Sequence, residues 1–367
     1  MIDKIIQSIL DLACQIQQIP APTLDESERA VFLYKLFSQK SIQNISQDST
    51  GNVYGKIEGN QRKRPAVISA HLDTVHPRQI SLNLTRSEDR ITGPGIADNS
   101  LSLAILVYLP ELLVASGIKP AGDIWLVANV CEEGLGNLRG MRAVVDRFTS
   151  LPEAYIVLEG AGLGEVTHRG LGVDRYRISV TTSGGHSWKD YGKPSAIHIL
   201  ARLITSLASL SLPVEPRTTL NVGVVHGGLS VNTVAPYAWC DLDLRSEDQA
   251  ALHKLATQVQ EIAAAYQQPE VIITCEPIGS RPAGGISENH PLVKKVKAAL
   301  LISQINPILS IGSTDANIPL AMGFPSVCIG MTHGGKGHTT QEYIEIAPLS
   351  SGIRVLLDLL ASLWENQ

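Results

Sequence analysis

The chain has 367 residues, of which 44% are hydrophobic and 18% charged, and its formal net charge is -5. This length predicts more than one hydrophobic core, and the composition is typical of a globular protein rather than a disordered one. A negative net charge without a long basic cluster argues against a nucleic-acid partner. The five cysteines are scattered without CxxC spacing, which predicts reduced thiols in a cytoplasmic protein.

A membrane partner is not expected either. The apolar N-terminal segment is interrupted by Asp3 and Asp11, so we predict neither a signal peptide nor an anchor. The longest apolar stretch, residues 101–116, contains Pro110 and Glu111 and is too short to span a bilayer.

In chain order, apolar residues at helical spacing predict a first helix over residues 2–18. Pro20 and Pro22 break it, and Thr23 with Glu26 predicts a capping box for a second helix that continues through Phe37. Short β-rich runs then alternate with helical patterns. We predict strands at residues 66–70, 123–130 and 154–158, and helices at 100–115 and 138–148. This alternation predicts an α/β fold, a mixed and mostly parallel sheet with helices on both faces.

The pattern changes near Gly170. Residues 173–182, 217–225, 237–245 and 270–276 are predicted strands, and residues 194–210 and 247–266 are predicted helices. The order β-α-β-β-α-β is that of a ferredoxin-like unit. We therefore expect a catalytic domain of residues 1–168 and 284–367, with a lid or dimerisation domain of residues 169–283 inserted into it.

Potential metal ligands follow the predicted strands. In open α/β sheets, sites form outside the carboxyl ends of strands. His71 and Asp73 follow the first of these strands, Glu132 and Glu133 the second and Glu159 the third, while Asp98 lies in a glycine-containing loop before a helix.

The spacing of these residues is consistent with a metal site. Residues two apart on an extended chain face the same way, so Asp73 is placed to hydrogen bond one nitrogen of His71 while the other binds metal. The carboxylates of neighbouring Glu132 and Glu133 would repel each other, and a bound dication would offset this repulsion.

Four motifs together resemble the co-catalytic zinc peptidases and deacylases. They are His71-Leu-Asp73, Gly95-Ile-Ala-Asp98-Asn99, Glu132-Glu133-Gly134 and His338-Thr-Thr-Gln-Glu. That family includes aminoacylases, glutamate-releasing carboxypeptidases, succinyl-diaminopimelate desuccinylases and tripeptidases. The resemblance extends over nearly the whole chain, including the inserted domain.

The resemblance implies a dinuclear site and a reaction. Asp98 would bridge two ions, His71 and Glu159 would complete one, and Glu133 and His338 the other. The ions would be zinc, with cobalt or manganese as alternatives. It also implies a cis Asp98–Asn99 peptide and Glu132 as general base. Two such ions would activate a bridging hydroxide that attacks the amide of a small peptide or N-acyl amino acid, and these two substrate classes stay open.

The resemblance also implies substrate contacts. Ser183-Gly-Gly-His186 is similar to a segment whose histidine reaches the site of a partner subunit and helps stabilise the oxyanion, so a catalytic role for His186 and a homodimer are expected. Asn232 and Arg245 resemble substrate-binding residues, and an arginine fork suits a carboxylate. Thr314 and Asp315 either line the same pocket or cap the next helix.

Several alternatives compete with these interpretations. Glu165 is an alternative to Glu159 as a ligand. Gly134 to Gly140 follows a strand but lacks GxGxxG spacing, and no GxSxG elbow is present, so dinucleotide binding and serine hydrolysis are not favoured. A metal- or ligand-binding protein that has kept the fold and lost turnover is the alternative function, although retention of Glu132 argues against it.

Overall fold

The computed structural model describes residues 2–365, and its contacts divide the chain into two units. Unit 1 contains the residues up to Gly170 and from Gly285 onward, and unit 2 is Leu171–Gly284. The helices are α1 Ile2–Gln17, α2 Ser27–Ser38, α3 Leu101–Ala115, α4 Arg139–Phe148, α5 Ala196–Ala208, α6 Gln249–Ala265, α7 Pro291–Ile302, α8 Asn317–Ala321 and α9 Leu349–Ser362. The strands are β1 Gln43–Gln47, β2 Val53–Ile57, β3 Lys63–His71, β4 Thr85–Arg86, β5 Arg90–Thr92, β6 Gly122–Asn129, β7 Ala154–Glu159, β8 Glu165–Gly170, β9 Gly172–Thr182, β10 Gly185–His186, β11 Thr218–Gly227, β12 Thr233–Val234, β13 Tyr237–Ser246, β14 Val271–Arg281, β15 Gly284–Gly285, β16 Ile308–Gly312, β17 Ser326–Gly330, β18 Gly334–Gly335 and β19 Tyr343–Glu345.

The main sheet of unit 1 has the strand order β1-β2-β6-β3-β7-β17-β8, with β16 beside β8. Strands β6, β3, β7 and β17 are mutually parallel, whereas β1, β2 and β8 pair antiparallel with their neighbours in this order. The central strands are buried on both faces, because one apolar cluster contains residues of α1, α3, α7 and α9 and a second contains residues of α4 and α8. The predicted mixed, mostly parallel sheet with helices on both faces is confirmed.

Helix α3 is the most apolar helix of this core. Its residues Leu101 to Val107 are all buried, which explains why its sequence shows no polar face. With the preceding turn, Ile96–Ala115 is long and apolar enough to cross a membrane, contrary to the length argument from the sequence. However, 83% of the apolar 18-residue window within that segment is buried inside the protein, so it serves as a core helix here.

The capping box predicted at Thr23 and Glu26 is wrong. Helix α2 begins at Ser27, and Glu26 precedes it without a side-chain cap bond. The hydroxyl of Thr23 donates instead to Asp73 Oδ2 at 2.9 Å, and Glu26 Oε1 accepts from the backbone N–H of Leu24 and of Cys131. Both side chains therefore contact distant residues rather than the first turn of the helix.

Unit 2 has an antiparallel sheet with the order β11-β13-β9-β14. Helices α5 and α6 pack against it through one apolar cluster. The longer elements follow the order β-α-β-β-α-β, as predicted for this segment. A lid or dimerisation role for unit 2 stays a prediction.

Candidate metal centre

The carboxyl ends of three neighbouring parallel strands meet at one edge of the main sheet. His71 ends β3 and is paired with Asn129, which ends β6, while Ser69 of β3 is paired with Val157 of β7. Glu159 ends β7. The turn Val130–Glu133, which follows β6, and Glu159 therefore flank His71, as expected for ligands in consecutive parallel strand units.

The two oxygens of Asp98 face two separate groups of donors. On one side His71 Nε2 lies 2.8 Å from Asp98 Oδ1 and 3.8 Å from Glu159 Oε2. On the other side His338 Nε2 lies 3.2 Å from Asp98 Oδ2 and 3.5 Å from Glu133 Oε1. The structure thus brings together all five predicted metal ligands, with Asp98 between the two pairs. Glu165, the competing acid, is exposed at the start of β8.

These residues fit divalent metal ions. Nitrogen and oxygen donors about 2.0–2.1 Å from a tetrahedral zinc ion lie about 3.3 Å from one another. The distances from each histidine to its carboxylates bracket that value, and ligand atoms of His71, Asp98 and Glu133 all lie within 4.8 Å of one another. The donor set of imidazoles and carboxylates is one that zinc, cobalt and manganese accept.

The raised pKa values of two carboxyl groups at this site are also consistent with bound cations. Burial, together with the charges of Asp98 and Glu132, raises the pKa of Glu133 to about 7. Burial and the same two negative charges also raise the pKa of Glu159 to about 7. Divalent cations would relieve both the desolvation and the repulsion of these acids.

The two histidines are surrounded by negative charge. Hydrogen bonds to Asp98 and Glu133 raise the pKa of His338 to about 10. Burial lowers the pKa of His71, but the carboxylates of Asp73, Asp98 and Glu159 outweigh it and raise that pKa well above its usual value. Protons on these two imidazoles partly compensate the acids where metal ions would otherwise do so.

Asp73 contacts both His71 and the turn that carries the two glutamates. His71 Nδ1 lies 3.0 Å from the carbonyl oxygen of Asp73 and 3.5 Å from its carboxylate oxygen Oδ1. The carboxylate also accepts two backbone hydrogen bonds, since Oδ1 accepts from Glu132 N and Oδ2 from Glu133 N, each at 2.9 Å. Asp73 therefore orients the second strand end as well as the histidine.

The turn that carries Asp98 is held by a residue that the sequence analysis missed. Glu342 Oε1 accepts the backbone N–H groups of Ala97 at 2.7 Å and Asp98 at 2.9 Å. Burial and the charge of Asp98 raise the pKa of Glu342 to about 7. The signal was present, because Glu342 is the acid of the quoted motif His338-Thr-Thr-Gln-Glu. The peptide Asp98–Asn99 is cis, as the resemblance implied.

Glu132 is 5% exposed, and a second buried acid lies in its electrostatic neighbourhood. The carboxyl of Asp315 is fully buried and accepts a 2.7 Å hydrogen bond from Asn129 Nδ2. Burial and the charge of Glu132 raise the pKa of Asp315 well above its usual value. Asp315 consequently does not line an open pocket, contrary to one expectation. Partly exposed Thr314 accepts a hydrogen bond from Ala316 N, and helix α8 begins only at Asn317.

Within unit 2, the predicted catalytic residue His186 and the predicted substrate-binding residues Asn232 and Arg245 occupy two separate places. His186 is paired with Thr233, next to Asn232, and Ser187 N donates to the carbonyl of Asn232 at 3.0 Å. Arg245 is paired with Val173 at the far end of β9 from Thr182, and its Nε donates to Asp243 Oδ2 at 2.6 Å. The structure thus brings His186 and Asn232 together and leaves Arg245 apart from them.

Comparisons with known proteins agree with this fold. A peptidase M20 domain-containing protein of Schizosaccharomyces pombe is 30% identical over 244 residues, which are 62% of this chain and 58% of that protein. The match therefore spans less than two thirds of the relative's length. Carboxypeptidase G2 of a Pseudomonas species is 24% identical over 332 residues, or 84% of this chain and 77% of that protein. A tripeptidase structure from Staphylococcus aureus shares the fold, with a TM-score of 0.81 and 22% identity over 98% of both chains.

The family model describes most of the chain. It is that of peptidase family M20/M25/M40, and it matches residues 67–362. The matched segment begins inside β3, just before His71, and continues beyond His338, so it includes all five candidate ligands. The chain belongs to peptidase family M20/M25/M40.

Proposed function

We propose that the protein hydrolyses an amide bond in a small peptide or an N-acyl amino acid, with two divalent metal ions as cofactors and Glu132 as general base. The observation that carries this proposal is the position of Asp98, whose two oxygens face His71 with Glu159 and His338 with Glu133. A carboxylate with donors on both sides is suited to bridging two metal ions.

His71 and Glu159 would hold one ion, Glu133 and His338 the other, and Asp98 both. Zinc fits the donor set best, with cobalt or manganese as alternatives. When bound, such a pair of ions makes water more acidic and polarises the scissile carbonyl.

Glu132 is the residue proposed to move the proton. It is buried and directly precedes the ligand Glu133, so its carboxylate is held beside the metal site by the same turn. A carboxylate there accepts the proton of the attacking water and returns it to the leaving amine. A protein that only bound metal would not need this second acid.

We also propose that residues of unit 2, together with Thr314, bind the substrate. Arg245 is half-exposed at the end of a strand, and its guanidinium suits the carboxylate of a peptide or acyl amino acid. The names of the relatives, a tripeptidase and carboxypeptidase G2, support a peptide substrate.

A homodimer is part of the proposal. His186 and Arg245 lie toward opposite ends of β9, whose residues 173–182 extend over about 30 Å at the usual rise per residue. One copy of unit 2 therefore does not present both side chains at one place, and a second copy is needed to supply one of them. Strand β11 is at the edge of its sheet and exposes Val224 and Val225, which suits contact with another copy. The five free thiols support a cytoplasmic location.

The decisive experiment is a hydrolysis panel on zinc-loaded protein with dipeptides, tripeptides and N-acetyl amino acids. Each substrate is also tested with a chelator and with Glu132→Gln, which keeps the shape of the side chain but removes its basicity. We expect chelator-sensitive turnover that falls by about 100- to 10,000-fold in the variant, in line with the usual contribution of general base catalysis.

Metal content is measured on the same samples. Two ions per chain with turnover of one substrate class would support the proposal and separate peptidase from deacylase. Two ions per chain without turnover of any substrate would favour the alternative of a metal-binding protein, and a chain that binds no metal would exclude both.

A further inference from the structure

Side chains from distant segments hold the turn Val130–Glu133, which follows β6. Each of its four backbone N–H groups donates to a side-chain oxygen at 2.9–3.0 Å. The acceptors are Asn52 for Val130, Glu26 for Cys131, and the two oxygens of Asp73 for Glu132 and Glu133. The path of this turn is therefore set by three acceptors outside it.

Cys131 is the conformationally demanding residue of the turn. Its φ is +60°, in the left-handed region, where a residue with a Cβ is strained. Such a conformation persists only if its surroundings impose it. Glu26 Oε1 provides the contact, since it accepts from Cys131 N at 3.0 Å and from Cys131 Sγ at 3.4 Å. Glu26 thus holds the residue immediately before the proposed base.

The segment that carries Glu26 is itself fixed on both sides. Leu24 N donates to Glu26 Oε1 at 2.9 Å, and Thr23 donates to Asp73, the other carboxylate that holds the turn. One turn of helix after Glu26, the fully buried guanidinium of Arg29 donates to the carbonyl oxygens of Leu72 and Ile19. The segment between α1 and α2 therefore binds the ends of both β3 and β6.

We propose that Glu26 is a positioning residue, which orients the turn so that Glu132 reaches the reacting water and Glu133 reaches the metal. This inference rests on the function proposed above. Glu26 acts as a hydrogen-bond acceptor, and the length of its side chain sets the position of the acceptor oxygen relative to α2. A glutamine side chain places an amide oxygen at the same position, whereas the shorter aspartate side chain does not.

The test compares Glu26→Gln, Glu26→Ala and Glu26→Asp in the full-length protein. We expect Glu26→Ala and Glu26→Asp to lower kcat and to weaken zinc binding, each by about 10- to 100-fold, as is usual for residues that orient metal ligands. KM stays within about twofold, because no substrate contact is removed. Glu26→Gln retains kcat and zinc affinity within a few-fold. Zinc affinity is measured by titration against a competing chelator.

Two control variants on α2 separate positioning from stability. Glu28→Gln changes an exposed acid that pairs with Arg78, and we expect wild-type behaviour. Phe37→Leu removes part of a buried side chain of the same helix away from the turn. We expect it to lower the melting temperature while kcat and zinc affinity stay at wild-type values.

The proposal is overturned if Glu26→Ala or Glu26→Asp behaves like Phe37→Leu, with a lower melting temperature but unchanged kcat and zinc affinity. If Glu26→Ala does not fold, the Asp variant, which keeps the charge and shortens the reach, decides on the same criterion. If wild-type protein turns over no substrate, the proposed reaction fails, and the zinc affinities of the Glu26 variants still decide whether Glu26 positions Glu133.

Discussion

Asp98 organises the centre because its two oxygens are used in different directions, one toward His71 and the other toward His338. Around it, Glu133 and Glu159 are acids whose pKa values are raised because burial and mutual repulsion oppose their charge. The same acids are the ones that metal ions need in the ionised form. Metal binding and protonation therefore compete at these two residues.

This competition predicts how zinc stabilises the protein at different pH. In metal-free protein, the pKa values of Glu133 and Glu159 are raised from 4.5 to about 7. In their protonated form, these two acids contribute fully to the free energy of unfolding below pH 4.5. This contribution is lost as the pH rises through 7 and the acids ionise in the folded protein. Zinc binds the ionised acids and the neutral imidazoles of His71 and His338, whose pKa values are also raised, so the rise in melting temperature caused by zinc should grow from about pH 5 to about pH 8.

The measurement is thermal unfolding with and without zinc across that pH range. Glu133→Gln is the matched variant, because it removes one titrating ligand and should make the zinc-induced shift both smaller and less dependent on pH. A zinc-induced shift that is equally large at both ends of the range would contradict the assignment of these acids as ligands.

At the scale of elements, the turn before α3 depends on contacts made far away in the sequence. Strand β5 is paired with β19, which places the loop before Asp98 beside Glu342. Glu342 accepts hydrogen bonds from three backbone N–H groups of this loop and turn. The carbonyl oxygen of Glu342 accepts from Gly93 N, and its carboxylate accepts from Ala97 N and Asp98 N. Asp98, the proposed bridging ligand, is thus oriented by a strand and turn near the end of the described residues.

We predict that Glu342→Ala weakens zinc binding by about 10- to 100-fold, because two buried N–H groups lose their acceptor and Asp98 loses its fixed orientation. Glu342→Gln keeps an acceptor oxygen and should lose less. The neighbouring exposed residue gives the control Gln341→Ala, which should bind zinc as the wild type does. Equal zinc affinity for Glu342→Ala and the control, in titrations against a chelator, would remove Glu342 from the site.

The elements that the sequence predicts well are those whose pattern depends on burial alone. Ala66 to Ala70 in β3 and Leu101 to Leu106 in α3 are apolar apart from Ser69 and Ser102, because both segments are buried on all sides. The sequence does not predict strands β1 and β2, because β1 is polar and partly exposed and so lacks an apolar alternation, although the two strands pair locally and antiparallel.

Long-range polar contacts are the part of the site that sequence patterns do not reveal. Glu26 and Thr23 have the spacing of a capping box, yet their partners are Cys131 and Asp73, which are brought near only by the tertiary fold. The proximity of the proposed ligands at the strand ends could be predicted, since the carboxyl ends of parallel strands share an edge of the sheet. Asn52 and Glu26 hold the turn Val130–Glu133 from other segments and have no local signature of that role, whereas Asp73 and Glu342 lie in the motifs quoted from the sequence.

At the scale of the whole molecule, the two ends of the unit 2 sheet define what one copy can supply. Arg245 lies beside Val173, close in sequence to the junction at Leu171, whereas His186 follows Thr182 at the other end of the strand. In the proposed homodimer, each site uses Arg245 of its own chain and His186 of the partner subunit. The two residues can therefore be removed from different chains.

This arrangement predicts complementation between two inactive variants. His186→Ala and Arg245→Ala homodimers should each lose most of their activity. After the two variants are mixed, dissociated and reassembled, half of the dimers are mixed and each has one site with both side chains. Activity should then recover to about a quarter of the wild-type value per total protein. Unmixed samples treated in the same way are the control. If both residues served one site from a single chain, mixing would restore nothing, and the partner role of His186 would be wrong.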